Sequence, residues 1–257
     1  MIVRTDALVL RSMKYGETSR IVTLFTREKG KVAVMARGAR LTRSRFGATL
    51  QPLAYIQCLF YYKPTRDLQT LSETTHLEVF HGIGEDLEKL SAGLRMVELV
   101  QALLQPEEQN PLVFNLLLDT LRHLDAASER PGNLLPHFQL KLGTVLGFAP
   151  DIDRARVEAV GEEGGVLALE SGAILPLEEA PPAARRASRA ALRAFAICAR
   201  ADAATVLRMR ATPEVGRELD RLVADYLRFH LEEAYPDRSS RVIEQLLRAG
   251  STPPPSP

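Results

Sequence analysis

The sequence of 257 residues contains no tryptophan and only two cysteines, Cys58 and Cys198. Two cysteines are too few for a disulfide framework or for a four-cysteine zinc site. We interpret both thiols as small buried hydrophobic groups and expect a cytoplasmic protein. No apolar run approaches the length of a membrane-spanning helix, and charged side chains interrupt the first apolar runs, so we expect neither a membrane anchor nor a cleaved leader.

Patterns typical of catalysis are equally scarce. The five histidines fall in different predicted elements, and none has metal-ligand spacing. Gly30-Lys31 lacks the upstream glycine of a phosphate loop. Asp151 and Asp153 could hold Mg²⁺ in a nuclease, but the other acidic residues near them lie in a predicted loop. We therefore expect a protein that is not an enzyme and needs no cofactor, with a metal-dependent nuclease as the weaker alternative.

Charge is distributed unevenly along the chain. The 33 basic and 32 acidic residues leave a formal net charge of only +1. Residues 1–80, however, carry 13 Lys and Arg against 6 Asp and Glu, a net charge of +7. The remaining 177 residues therefore carry a net charge of −6. Such asymmetry indicates that one end of the molecule contacts a polyanion.

The excess positive charge is concentrated between residues 27 and 45. This stretch holds seven basic residues and a single acid, Glu28, on a predicted hairpin and the glycine-containing loop after it. Basic side chains on a sheet edge and a loop are typical of a phosphate-binding surface. The alternative is an exposed loop whose charges serve only solubility. The seven residues are Arg27, Lys29, Lys31, Arg37, Arg40, Arg43 and Arg45.

Residues 1–80 have the pattern of a small β-barrel. Five short runs rich in β-branched and aromatic residues predict strands at 7–10, 20–26, 31–36, 53–62 and 67–73. Gly30 can adopt the positive φ that a hairpin turn between the second and third runs requires. Five strands with basic loops fit the oligonucleotide-binding (OB) fold, although an SH3-like barrel would give a similar pattern.

Beyond residue 80 the apolar period becomes helical, which predicts an α-helical bundle over residues 81–250. An irregular insert with one hairpin is predicted at about 149–177, and the proline-rich segment 251–257 is predicted to be disordered. The fold class is therefore α+β multidomain: a five-stranded OB barrel followed by a helical bundle with a small β insert. Helices are predicted at 86–104, 111–124, 134–146, 187–200, 205–210, 214–233 and 239–248.

The basic barrel predicts a nucleic-acid interface that reads the backbone with little sequence preference. Aromatic residues at outward positions of the strands could stack on unpaired bases, although most aromatic residues in a small barrel belong to its core. Basic residues on neighbouring segments would widen the surface. The predicted DNA-binding set is Lys14, Arg20, Arg27, Lys29, Lys31, Arg37, Arg40, Arg43, Arg45, Phe46, Lys63 and Arg66.

An ordered series of short motifs resembles the RecO family of bacterial recombination mediators and DNA-repair proteins. The later motifs are Leu146-Gly-Phe-Ala-Pro150, Asp153-Arg154 and Gly164-Gly-Val-Leu167, so the resemblance spans nearly the whole chain. The N-terminal series is the most specific part. It comprises Asp6-Ala-Leu-Val-Leu-Arg-Ser-x-x-Tyr-Gly-Glu-Thr-Ser19, Thr23-Leu-Phe-Thr-Arg27, Gly30-Lys-Val, Ala36-Arg-Gly-Ala-Arg40, Ser44-Arg-Phe-Gly47, Leu50-Gln-Pro52 and Leu68-x-Thr-Leu-Ser-Glu73.

The resemblance implies a nucleoid-associated protein that binds single- and double-stranded DNA and anneals complementary strands. It also implies that the protein, with RecR, helps to load RecA onto DNA coated by single-stranded DNA-binding protein (SSB). The acidic, Phe-ending SSB tail would dock on the helical domain, for which we expect a pocket at His137, Phe138 and Lys141. An RNA-binding barrel and a protein adaptor without annealing activity stay open as alternatives.

One departure from the family pattern concerns metal binding. Many members of the family carry a zinc loop of two C-x-x-C pairs. The matching positions here are Ala155 and Glu158, then Ala168 and Ser171. Because no thiolate is present at these positions, we expect no bound zinc and a loop held by packing.

Overall fold

The computed structural model of the protein describes residues 1–231. Its N-terminal part is a closed five-stranded barrel with the strand order β1-β2-β3-β5-β4. β3 and β5 pair in parallel, whereas the other neighbouring strands are antiparallel and β1 closes the barrel on β4. This order confirms the OB-type barrel. The strands are β1 (Ile2–Tyr15), β2 (Ser19–Thr26), β3 (Gly30–Ala36), β4 (Tyr55–Tyr61) and β5 (Leu68–Glu78).

Alternation of side chains along the strands builds the barrel core. In β3, Val32, Val34 and Ala36 point inward and are buried, whereas Ala33 and Met35 between them face outward. β1 has 14 residues and is longer than expected. A register shift between Val9 and Arg11 bends it, so that one strand can continue around the barrel. Its last residues, from Arg11 to Tyr15, form a ribbon with β2, and β3 pairs along the other edge of β2.

Eight helices follow the barrel within residues 1–231, with a small sheet inserted among them. The longer helices have conventional starts: the Asp86 side chain accepts hydrogen bonds from two backbone amides of α2, and Asn110 and Ser188 cap α3 and α6. The helices are α1 (His81–Glu85), α2 (Leu87–Leu103), α3 (Pro111–Ala126), α4 (Leu134–Val145), α5 (Arg154–Ala159), α6 (Arg189–Arg200), α7 (Ala203–Arg208) and α8 (Pro213–Leu231).

The insert contains more regular structure than the sequence predicts. β6 (Gly165–Ala168) and β7 (Ile174–Leu175) form the expected hairpin, and β8 (Ala184–Ala187) adds a third strand along β6. Because Ala187 belongs to that strand, α6 begins at Arg189 and not at residue 187. The short helices α1 and α5 were also not expected, since five or six residues are too few for an apolar period.

Some predictions concern residues that the structure does not describe. The predicted helix 239–248, the tail 251–257 and the last two residues of the predicted helix 214–233 lie outside residues 1–231. Within those described residues, no helix combines the length and apolarity needed to cross a membrane.

The barrel and the helices share one hydrophobic core. Leu8, Phe25 and Tyr55 of the barrel belong to the same buried cluster as the apolar faces of α2, α3 and α4. We call this interface between the barrel and the helical domain the joint. Phe114 of α3 lies at its centre, with its ring centroid 5.3 Å from that of Phe25 and 6.4 Å from that of Tyr55. The joint therefore fixes which side of the barrel the helices cover.

Gly30, in the β2–β3 turn, is required by this joint for two reasons. It has a φ of +62°, and a Cβ placed there would lie 2.1 Å from the backbone oxygen of Glu108. Gly16, in the β1–β2 turn, has a similar φ of +56° but open space around its Cβ position. A comparison of these two glycines therefore distinguishes the effect of backbone strain from the effect of the close approach between the two domains.

We expect Gly30→Ala to lower the free energy of unfolding by about 2–4 kcal/mol, because it combines left-handed strain with a backbone clash. Gly16→Ala is the matched control and should cost only about 1 kcal/mol. Urea denaturation of both variants measures the difference. Equal destabilisation would show that the hairpin does not pack against residue 108.

Candidate nucleic-acid interface

The β2–β3 hairpin directs two of its basic residues into the joint between the domains. Arg27 Nη1 donates a hydrogen bond to Asn115 Oδ1 at 2.9 Å, and its guanidinium carbon lies 4.4 Å from the Phe114 ring centroid. Lys31 Nζ donates to the backbone oxygen of Gln101 at 2.8 Å. Burial lowers the pKa of Lys31, although Glu108 nearby partly opposes this effect. These two side chains hold the helical domain.

Lys29 lies on the same hairpin in a half-buried position. Its ammonium group is 5.1 Å from the ring centroid of Tyr62, whose hydroxyl donates to Glu107 Oε2 at 2.8 Å. Lys29 is therefore also close to the joint, at its rim.

The other predicted basic residues of the stretch lie on the loop after β3, which begins at the end of the barrel opposite the hairpin. The Arg40 backbone amide donates to Thr18 O at 2.8 Å, and Arg40 Nη1 donates to Gly16 O at 2.9 Å. These bonds hold the loop after β3 against the β1–β2 turn, where Lys14 pairs with Arg20 across the ribbon. We call this surface the basic end; it comprises Lys14, Arg20, Arg37, Arg40, Arg43 and Arg45.

Most of the basic end is open to solvent. Lys14 and the four loop arginines are exposed. Arg20 is half-buried and donates to Ser12 Oγ at 3.1 Å. The Arg45 guanidinium carbon lies 5.1 Å from the ring centroid of Phe46, which supports its position beside the barrel.

The basic residues of the barrel form no close ion pair with any carboxylate of the described part of the chain. Within residues 1–231, no Lys or Arg of residues 1–80 takes part in a salt bridge. The only barrel residue in such a pair is an acid, Glu78, which binds Arg122 of α3 at 2.9 Å. The acids of the described helical part therefore do not pair directly with the basic end.

Lys63 and Arg66 lie apart from the basic end, in the exposed β4–β5 loop. The Gln69 side chain fixes this loop, since its Oε1 accepts from Lys63 N at 2.8 Å and its Nε2 donates to Lys63 O at 3.0 Å. Arg66 and Lys31 line a groove between the barrel and the segment after α2. The predicted set thus divides among the joint, the basic end and this loop.

The aromatic residue in the predicted set is placed differently from our expectation. Phe46 is only 1 % exposed and belongs to the barrel core, so its ring is closed to a base. It is buried because the loop after β3 folds back over the barrel and inserts this side chain. Tyr55, Phe60 and Tyr62 are also buried, whereas Tyr61 is 50 % exposed. Tyr61 on β4 is thus an outward-facing aromatic residue, as is Tyr15 at the end of β1, which is 51 % exposed.

The expected pocket for the SSB tail is not open at its predicted position. His137 and Phe138 are buried in α4, and Lys141 is half-buried. His137 Nδ1 lies 2.9 Å from the backbone oxygen of Cys198, and burial lowers the pKa of this imidazole. The apolar period of α4 places these residues between α3 and α6, in the core of the bundle.

The positions that match the family's zinc loop do not fit a zinc ion. Ala155 and Ala168 have no donor atom, and Glu158 forms a salt bridge with Arg154 at 2.8 Å. Within residues 1–231, no cluster of three or more His, Cys, Asp or Glu residues has the geometry for a metal. Within this segment Val157, Leu167 and Leu169 are buried in the main hydrophobic cluster.

Both thiols, and Asp153 of the acidic pair, occupy structural positions. Cys58 and Cys198 are buried, and burial raises the pKa of each to about 12. Both thiols are therefore neutral near pH 7. Asp153 accepts a hydrogen bond from Ala155 N at 2.8 Å and caps α5, so its carboxylate has a structural role.

The fold and this surface define an OB-barrel protein with an appended helical domain. Family profiles match the chain over nearly its full described length: "Recombination protein O N terminal" over residues 1–80 and "Recombination protein O C terminal" over residues 84–240. The chain belongs to the RecO family of DNA repair proteins.

Similar proteins of several bacteria share the name "DNA repair protein RecO". The protein of Salinibacter ruber is 54% identical over 251 residues, which cover 98% of this chain and 96% of that protein. The protein of an Anaeromyxobacter species is 35% identical over 89% of this chain and 91% of its own length. That of Symbiobacterium thermophilum is 34% identical over 88% and 91%.

Mutations can distinguish the arginine at the joint from the arginines of the basic end. We expect Arg27→Ala to lower the free energy of unfolding by about 1–2 kcal/mol, because it removes a cation–π contact and a hydrogen bond at the joint. Arg43→Ala should leave stability within about 0.5 kcal/mol of the wild type and weaken DNA binding instead. Thermal unfolding and fluorescence anisotropy measure the two effects. A loss of affinity without loss of stability for Arg27→Ala would contradict the assignment.

Proposed function

We propose that the protein binds single- and double-stranded DNA through the basic end and anneals complementary strands. The observation that carries this proposal is the set of exposed guanidinium and ammonium groups without carboxylate partners in residues 1–231. Such groups attract phosphates and release counterions from DNA. Flexible basic side chains on a loop follow a backbone of any sequence.

Annealing follows from the same electrostatics. Two complementary strands repel one another through their phosphates, and bound cationic side chains reduce that repulsion. A surface that contacts mainly the backbone leaves base edges free to pair. No covalent bond is made or broken, so the activity needs neither a nucleophile nor a metal.

The family membership supports a wider role as a recombination mediator. In this role the protein acts with RecR to help load RecA on DNA coated by SSB, in the cytoplasm and in association with the nucleoid. Docking to the coating protein would raise the local concentration of the basic end at exposed strands.

A groove between α5 and α6 suits the SSB tail better than the buried residues of α4. Its apolar floor includes Ile152, Val157 and Ile197, and arginines stand around it. Arg193 is exposed on α6 and forms no salt bridge within residues 1–231. An apolar groove with a basic rim complements a peptide that is acidic and ends in an aromatic residue.

Reversing three charges of the basic end tests DNA binding and annealing. We expect Arg37→Glu, Arg40→Glu and Arg43→Glu together to abolish annealing of complementary oligonucleotides while the circular dichroism spectrum keeps its helical signal. If about five residues of the wild type neutralise phosphates of a single strand, log affinity should fall with log salt with a slope of roughly −3.5. This slope corresponds to a loss of about a hundredfold between about 50 and 200 mM salt.

The matched control places the same charge change elsewhere: Arg186→Glu, Arg193→Glu and Arg210→Glu together change three exposed arginines of the helical part. This control should anneal strands at the wild-type rate. Normal annealing by the triple variant of the basic end would refute the proposal, as would a wild-type affinity independent of salt. Stronger binding of RNA than of DNA of equal length would favour the RNA-binding alternative.

The groove has its own test. We expect Arg193→Glu to weaken binding of an acidic, Phe-ending tail peptide by about tenfold, because it places a like charge at the rim. Arg186→Glu on β8 lies outside the groove and serves as the control of equal charge. Isothermal titration calorimetry with the peptide measures both. Equal affinities of the two variants would exclude this groove as the docking site.

A further inference from the structure

The six residues that follow α8 in the sequence share the chemistry of the peptide that suits the α5–α6 groove. Residues 232–237 read Glu-Glu-Ala-Tyr-Pro-Asp, with three acids, one aromatic side chain and no basic residue, a net charge of −3. They begin directly after the residues that the structure describes. An acidic stretch that carries an aromatic ring complements an apolar groove with a basic rim.

The groove is large enough for an aromatic side chain and its neighbours. It encloses about 610 Å³, which is within the range of ligand pockets in proteins. On its floor Val157 and Ala196 are buried, and Ile152 and Ile197 are half-buried. The floor therefore offers apolar contacts that are still partly open to solvent in residues 1–231.

The charged residues around this floor are mainly basic. Three arginines and one glutamate give the groove a net charge of +2. The glutamate, Glu158, is paired with Arg154 at 2.8 Å. Arg200 Nη1 donates to the backbone oxygen of Ile152 at 3.0 Å, and neither Arg200 nor Arg193 forms a salt bridge within residues 1–231. Two positive charges at the rim thus have no carboxylate partner in the described part of the chain.

The end of α8 lies close to one end of the groove. The imidazole of His230 stacks on Phe148, with ring centroids 4.8 Å apart and an interplanar angle of 8°. Ile152 follows Phe148 by four residues, a separation of at most about 14 Å. Tyr235 follows His230 by five residues, which can span about 18 Å. The chain is therefore long enough to bring the Tyr235 side chain to the groove while α8 stays in place.

We propose that residues 232–237 bind in the α5–α6 groove of their own chain, with the Tyr235 ring on the apolar floor and the carboxylates at the basic rim. The inference rests in part on the proposed function, because that function assigns the SSB tail to the same groove. It adds a regulation: the chain's own segment and the tail compete for one site. A segment tethered this closely has an effective concentration on the order of millimolar, so even a weak intrinsic affinity fills the groove.

The absence of tryptophan from the chain makes occupancy of the groove directly measurable. Tyr235→Trp introduces a single indole into the full-length protein. We expect blue-shifted emission and about threefold weaker quenching by acrylamide than in a peptide of residues 229–240 with the same substitution, because the ring is buried. Adding Ile197→Asp, which places a carboxylate on the floor, should restore the quenching seen in the peptide. Ile2→Asp, at a barrel residue that is 60 % exposed, is the matched control and should change nothing.

Competition is measured separately, by isothermal titration calorimetry with an acidic, Phe-ending tail peptide. Tyr235→Ala should bind this peptide about threefold more tightly than the wild type, because a groove filled in about two-thirds of the molecules lowers apparent affinity by that factor. Tyr235→Phe keeps the ring and should bind the peptide as the wild type does. Melting temperatures of all variants check that the fold is retained.

Quenching equal to that of the free peptide would overturn the inference, and so would a protected indole that Ile197→Asp leaves protected in a folded variant. Unchanged affinity for the tail peptide in Tyr235→Ala would overturn the competition. A protected indole that Ile197→Asp releases, in a protein that binds no tail peptide, would support the contact within the chain and overturn only the proposed tail site. DNA binding at the basic end would stand in each case.

Discussion

The packing of the β2–β3 hairpin against α2 and α3 determines how the barrel is oriented relative to the helical domain. Phe114 is enclosed by Phe25, Tyr55 and the Arg27 guanidinium, and Lys31 reaches the backbone of α2. An aromatic ring buried between two domains, with a cation over its face, resists separation of those domains. The basic residues of the hairpin therefore contact the helical domain at the joint, and the opposite end of the barrel faces solvent.

This division explains how a chain with almost no net charge can present a strongly positive surface. The acidic surplus lies in the helical part, where the salt bridges within residues 1–231 involve its own arginines. The barrel contributes one carboxylate to those pairs, Glu78, and none of its cations. Charge separation of this kind steers a polyanion to one end of the molecule. The basic end is the surface at which we propose that DNA phosphates bind.

The barrel could be predicted from the sequence because β-branched residues alternate with polar ones and because turn residues separate the runs. The long helices could be predicted from their apolar period and caps. The strand Ala184–Ala187 could not, since Ala-Arg-Arg-Ala has no strand preference and is extended only because it pairs with β6. For the candidate site, net charge identified the basic stretch, but only the folded structure shows that Arg27 contacts Asn115, which is 88 residues away in the chain. Phe46 illustrates the same limit, because loop position does not reveal burial.

The central claim is that the structure separates the half-buried Arg27 at the joint from an open basic end. Modification of arginine with phenylglyoxal, mapped by mass spectrometry with and without single-stranded DNA, tests it directly. We expect Arg37, Arg40 and Arg43 to react in the free protein and to be protected by DNA, and Arg27 to react poorly in both states. Slow reaction of the loop arginines in the free protein, or rapid reaction of Arg27 that DNA suppresses, would contradict the claim.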